Sequence, residues 1–316
     1  MNTFEESSSM EAVRSWAEKN GFADWAVAGV WLVVAWILFQ VIAGIVLVGL
    51  MLASGDLQSV DTSNVESLLM SRLDLLFIGN STGQILIIGL ATFLIVRLHL
   101  GSENPNHFLR LSWTGKTPLY LGLGSLLIVA IQPAIIYLGY LNSLIPMPES
   151  LLDMQISQYE VIEQFLTQDG ILLFGLFNVA VVPAFCEEIM FRGYLMRALE
   201  RSWGIVLAIV VSGFLFGMFH LQLPNLFPLA TIGIALAFMT WLSGSIWPAV
   251  LAHFINNGAA VLLGSTYPEL AFAEMSAESL PPVWSLIVSI ILSAVLVYYM
   301  IRVSSETATE SDKEIE

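Results

Sequence analysis

Apolar runs of about 20 residues recur along this chain of 316 residues, and about 20 residues of helix cross a bilayer core of roughly 30 Å. In hydrocarbon an unpaired backbone N–H or C=O costs several kcal/mol, so only helices and closed barrels can span a membrane. The runs therefore predict an all-α fold, a polytopic membrane helical bundle with about eight transmembrane helices. They fall at 26–53, 75–97, 119–145, 171–195, 204–221, 226–244, 246–264 and 282–301. The last four are separated by short breaks, and seven spans is the second count.

Composition agrees. Hydrophobic residues make up 57% of the chain and charged residues 12%, against about 45–50% and 25% in soluble domains. Mean hydropathy is +0.79. The formal charge of −15 comes from acids in tails and connecting segments. No basic surface suits a nucleic acid, so the expected partners are the lipid bilayer and a membrane peptide or protein, with no nucleic acid. The single cysteine, Cys186, excludes an intrachain disulfide and reads as a small core residue.

Lys and Arg mark the cytoplasmic side of a membrane protein. Arg14 and Lys19 precede the first run. Arg97, Arg110 and Lys116 lie between the second and third, Arg197 and Arg201 between the fourth and fifth, and Arg302 and Lys313 after the last. Segment 146–170 holds Glu149, Asp153, Glu160, Glu163 and Asp169 without Lys or Arg. Arg72 is the exception. Eight spans with both termini in the cytoplasm satisfy this pattern, in an integral protein of the cytoplasmic (inner) membrane. Five parts are expected: a polar N-terminal segment 1–24, retained and able to form a surface helix; N-terminal transmembrane helices 25–164; a core 165–265; a last loop and helix 266–302; and an acidic tail 303–316, read as a disordered end.

Ionisable groups inside membrane spans are costly and mark function. The fourth run carries Glu187, Glu188 and Arg192 in CEEIMFRG, the fifth ends at His220, and the seventh carries His253, Asn256 and Asn257. Glu188 and Arg192 are spaced i, i+4 and share a helix face, as an internal ion pair requires. Glu187 points about 100° away and is left over for chemistry. His253 and Asn257 also share a face. Gly213 and Gly217 would let the fifth run approach a neighbour closely. A carboxylate and an imidazole beside one water can remove its proton. A second imidazole and an amide can hold a developing oxyanion. This is the inventory for amide hydrolysis. Glu187, His220 and His253 could instead bind zinc, although the spacing H-E-x-x-H is absent. No cofactor is required by this reading, and zinc is the alternative.

Three motifs, E-E-x-x-x-R (Glu187, Glu188, Arg192), F-x-x-x-H (Phe216, His220) and H-x-x-x-N (His253, Asn257), occur in order in apolar runs. Together they resemble the CAAX-processing and bacteriocin-immunity (CPBP/Abi) family of intramembrane proteases, relatives of the type II CAAX prenyl endopeptidase. The resemblance covers about residues 165–265. It implies an endopeptidase in which Glu187 activates water with help from His220. His253 and Asn257 would form the oxyanion hole, and Glu188 and Arg192 would hold the helix in place. A prenylated or CAAX-like substrate is one implied class. A non-enzymatic immunity or scaffold protein of the same fold, and a proton-coupled transporter using Glu187, His220 and His253 as a relay, are the alternatives.

One expectation concerns depth. A fourth span ending near 195 places Glu187 close to the cytoplasmic side, whereas His220, 19 residues beyond Arg201, falls near the opposite face. A kink at Pro183 or a loop at 197–204 dipping into the membrane is expected to bring them level.

Overall fold

The computed structural model describes residues 16–56, 65–100, 104–273 and 276–313. Residues 1–15, the larger part of the N-terminal segment, and residues 314–316 lie outside the described residues, as does Arg14. Within the described residues every regular element is helical. Helix α1 is Asp24–Ser54 and α2 is Leu73–Leu100. Thr117–Ala130 (α3) and Gln132–Ser143 (α4) are bent by 43°, where Pro133 follows the junction and brings no N–H for the preceding turn. Glu149–Leu166 forms α5, Leu172–Trp203 forms α6, Ile205–Phe219 forms α7, Leu223–Ser243 forms α8 and Trp247–Thr266 forms α9. Val283–Lys313 is α10.

Each of the eight expected runs holds one of these helices, except the third, which holds the bent α3–α4 pair. Six helices are long and apolar enough to cross a membrane, and the bent α3–α4 pair makes a seventh. The eighth element, α7, has 15 residues and rises about 22 Å, short of the roughly 30 Å hydrocarbon core. The protein is an integral membrane protein. Its outer faces fit lipid: Val30, Ile45 and Leu52 of α1 and Trp284, Ile291 and Val295 of α10 are exposed. The acidic stretch after Arg302, expected to be disordered, continues α10 as far as Lys313.

Two apolar clusters organise the interior. One joins α1, α2, α6 and α7 through Trp31, Ile88, Ile189, Phe191 and Phe216. The other joins α3, α4, α8, α9 and α10 through Tyr120, Ile135, Met239, Ala252 and Met300. Cys186 packs in the first cluster with Gly89 as its close neighbour, the small-residue role read from sequence. The candidate site lies where α6, from the first cluster, meets α9, from the second.

Helix α6 settles the question of depth. It does not end near 195 but runs to Trp203, and Gly204, with φ of +78°, turns the chain into α7. Glu187 lies 17 residues before Gly204 and His220 lies 16 residues after it, so two antiparallel helices carry them to the same level. No dip at 197–204 is needed. Charge pairing lets the helix continue there: Glu200 accepts from Arg197 at 2.6 Å and from Arg110 at 3.0 Å. Burial pushes the Arg110 guanidinium down to about 10, with Glu200 opposing the shift.

Pro183 also sits within α6 rather than breaking it. A wide π-helical stretch, Leu176–Val181, precedes it, the kind of local widening that accommodates an irregularity in a helix.

Candidate active site

A proline at 183 cannot donate to the carbonyl of Val179, four residues back. That carbonyl accepts instead from Asn257 Nδ2 at 3.0 Å. The proline thus creates the anchor that draws α9 onto α6. The second hydrogen of the same amide points to His253 Nε2 at 3.2 Å. On its other side the ring meets Glu188, with Nδ1 3.0 Å from Oε1. An ionised carboxylate only accepts, so Nδ1 carries the hydrogen and Nε2 the lone pair. The amide donating to Nε2 requires the same tautomer.

Arg192 completes the set. Its Nη1 donates to Glu188 Oε1 at 3.0 Å and its Nη2 to the carbonyl of Gly233 at 2.9 Å. Glu188 and Arg192 are both fully buried. The guanidinium lies 4.5 Å from the Phe216 ring centroid, a cation–π contact. Gly233 can serve because α7 and α8 touch backbone to backbone. A Cβ on Gly233 would stand 2.6 Å from the Gly213 carbonyl oxygen, and one on Gly217 would stand 3.0 Å from the Ala230 nitrogen.

The network extends beyond the residues expected from sequence. Asn256 Nδ2 donates to Asn257 Oδ1 at 3.1 Å, and Gln132 Nε2 donates to Asn256 Oδ1 at 3.1 Å. One directed chain of donors therefore runs from Gln132 on α4 through Asn256, Asn257 and His253 on α9 to Glu188. Gln132 carries no charge and lies outside the three motifs, so the pattern of ionisable groups does not point to it. A glutamine followed by proline in the middle of LLIVAIQPAIIY was the available signal.

Glu187 stands apart from this chain. It is buried, and its Oε2 has no hydrogen-bond partner. That oxygen lies 4.0 Å from His253 Nε2, beyond hydrogen-bond reach. An oxygen atom about 2.8 Å from both would subtend an angle of about 90°, which a water can satisfy. His220 caps α7, and its Nδ1 donates to the Phe216 carbonyl at 2.9 Å, leaving Nε2 as an acceptor in the neutral ring. Phe216 lies between the histidines, its centroid 4.9 Å from that of His220 and 5.6 Å from that of His253. The structure thus brings Glu187, Glu188, Arg192, His253 and Asn257 into direct contact or near-contact, and links His220 to them through Phe216.

Two roles implied by the resemblance meet a geometric condition. Both hydrogens of the Asn257 amide are engaged, and neutral His253 spends its only N–H on Glu188. His253 can donate from Nε2 only as an imidazolium. For zinc, no group of three or more His, Cys, Asp or Glu among the described residues is arranged to hold a metal ion. As arranged, Glu187, His220 and His253 do not form a ligand set.

A profile of the type II CAAX prenyl endopeptidase Rce1-like family matches residues 169–259. This segment is similar to that family. All three motifs fall inside it. The Rce1-like segment is 29% identical, over 84 residues, to a Bacillus subtilis (strain 168) protein named "Putative membrane peptidase YdiL". The match covers 27% of this chain and 34% of that protein, so the chain spans about a third of the relative's length. No solved structure matches the chain.

A second buried polar cluster lies outside the Rce1-like motifs. His99 Nε2 is 2.9 Å from Asp24 Oδ1, and its Nδ1 is 2.9 Å from the Tyr194 hydroxyl. All three side chains are buried. It ties the start of α1 and the end of α2 to α6.

Proposed function

We propose that this protein is an intramembrane endopeptidase that hydrolyses a peptide bond of a membrane-associated polypeptide with a carboxylate-activated water. The observation that carries the reading is the buried Glu187 Oε2, without a hydrogen-bond partner and 4.0 Å from His253 Nε2. A water bound to Oε2 would donate one hydrogen to the carboxylate and keep its lone pairs for the carbonyl carbon, while Nε2 already accepts from Asn257.

The steps balance without a further reactant. The water oxygen bonds to the carbonyl carbon while Glu187 takes its proton. The C–N bond then breaks, and the proton passes from Glu187 to the leaving nitrogen, giving an acid and an amine. His253 is oriented by Glu188, which also steadies the ring if it gains a proton at Nε2. A ring that enters the cycle already protonated at Nε2, with the Asn257 amide turned aside, would donate Nε2–H to the developing oxyanion and keep that proton throughout. His220, on the far side of Phe216, would reach the water or the leaving group once the Phe216 ring turns aside.

Access supports the same reading. An apolar groove of about 500 Å³ opens beside α6 and α9, lined by Val181, Ala184, Phe185, Val250 and Phe254. These residues lie within two turns of Glu187 and His253. An apolar substrate could enter there from lipid, and a prenylated, CAAX-like substrate is one class that would. Lys and Arg placement supports a cytoplasmic membrane with both termini in the cytoplasm.

The test is Glu187→Gln in the full chain, reconstituted in proteoliposomes with membrane peptides carrying a fluorogenic bond. Turnover is expected to fall by at least about 10²-fold with helix content and melting temperature unchanged. Retained turnover in this variant would remove Glu187 as the base.

A further inference from the structure

The tip of the α7–α8 hairpin forms one wall of a cavity that the catalytic reading does not use. The cavity has a volume of about 670 Å³ and lies between the end of α4, the helix α5, the residues Pro224 and Asn225 of the hairpin tip, and Phe272. It neighbours the site along the chain, because Gln222, two residues past His220, donates to Gln158 of α5 at 2.9 Å. Asn142 of α4 holds the same tip, donating to the Leu223 carbonyl and accepting from the Phe227 N–H.

Helix α5 is buried at its C-terminal end and tied at mid-length through Gln158. Phe165 and Leu166 are buried, and Phe165 stacks on Phe77 at 3.7 Å. The earlier turns overhang the cavity and leave Leu152, Ile156 and Tyr159 exposed. Such a half-anchored amphipathic helix offers an apolar face with room beside it.

The charge of the lining is one-sided. Glu160 and Glu163, spaced i, i+3 on one face of α5, are its only charged members among the described residues. Among the described residues neither carboxylate has an ion-pair partner. Segment 146–170 supplies no Lys or Arg.

We propose that this cavity is a docking site for a cationic amphipathic segment of the substrate polypeptide. Its Lys or Arg side chains would meet Glu160 and Glu163, and its apolar residues would cover Ile156 and Phe272. The complementarity of charge selects this occupant, since an acidic segment would face two uncompensated carboxylates. The site rests on the peptidase reading, and deepens it by naming the class of substrate held beside the hairpin that carries His220.

Binding can be measured apart from cleavage. The Glu187→Gln protein, in nanodiscs of zwitterionic phosphatidylcholine, is titrated with a short labelled peptide of Leu and Lys and with its Leu–Glu counterpart, by fluorescence anisotropy. The Leu–Lys peptide is expected to bind, the Leu–Glu peptide not. Glu160→Gln with Glu163→Gln is expected to weaken binding about tenfold, and high salt should do the same. Equal affinity for both peptides, or an affinity unmoved by the double variant, would overturn the proposal. Failure of the wild-type protein to cleave any peptide, with charge-selective binding intact, would sink the peptidase reading and leave the docking site standing.

Discussion

The carbonyl of Val179 is 3.0 Å from the amide nitrogen of Asn257, and it is available because Pro183 has no N–H to offer it. A helix irregularity in α6 is thereby converted into a polar contact with α9, one turn from the His253 ring.

Pro183→Ala would return a competing donor to that carbonyl. Proline in a helix interior costs about 3 kcal/mol relative to alanine, so the variant is expected to melt at an equal or higher temperature. Turnover should nevertheless fall, because the Asn257 amide loses its sole claim on Val179. A rise in turnover along with stability would contradict the anchoring role.

Glu188 accepts from Arg192 and His253 at the same oxygen. Glu188→Ala leaves a buried guanidinium uncompensated, a loss of about 3–5 kcal/mol, and the protein should melt far earlier in detergent. Glu188→Gln keeps the shape and can still accept from one donor. It is expected to lose less stability but most of its turnover, since an amide can also present a donor to Nδ1 and disturb the tautomer. Melting curves beside turnover would show whether the two losses separate.

The contact of α7 with α8 permits Arg192 to reach the Gly233 carbonyl. Gly233→Ala places a methyl group 2.6 Å from the Gly213 oxygen, and overpacking of this kind costs about 1–3 kcal/mol. Gly122→Ala, where no atom lies within 4 Å of the added carbon, is the control and should be neutral or slightly stabilising. Equal melting temperatures for the two variants would mean that the helices are not in contact there.

Asp24, His99 and Tyr194 make a buried cluster whose members depend on one another unequally. His99→Ala removes the group that bridges the other two and should cost more than Tyr194→Phe, which deletes one hydrogen bond worth about 0.5–1.5 kcal/mol. Thermal unfolding of both variants gives the order. The reverse order would place the weight of the cluster on the tyrosine.

The functional residues divide by how far a one-dimensional pattern reaches. Glu188 with Arg192 and His253 with Asn257 share helix faces at i, i+4, so each pair was visible as a unit. That the pairs meet each other was not, because residues 65 positions apart in the chain join at Glu188 Oε1. Gln132 and the cluster of Asp24, His99 and Tyr194 escaped for the same reason: each residue alone is an ordinary polar group near the end or middle of an apolar run. The length of α6 escaped for another. Arg197, Glu200 and Arg201 look like a connecting segment, and it is the pairing of Glu200 with Arg197 and Arg110, and of Arg201 with Asp24, that lets the helix continue past them.

The sequence by itself determined that the chain is helical and crosses a membrane, since backbone groups in hydrocarbon have no partner but the helix. It also determined which side chains are too polar to be there without cause. Only the tertiary structure decided that Glu187 and His220 share a depth, through the length of α6 and its turn at Gly204. Packing likewise set the His253 tautomer and left Glu187 unbonded, because hydrogen-bond direction depends on partners that separate helices bring together.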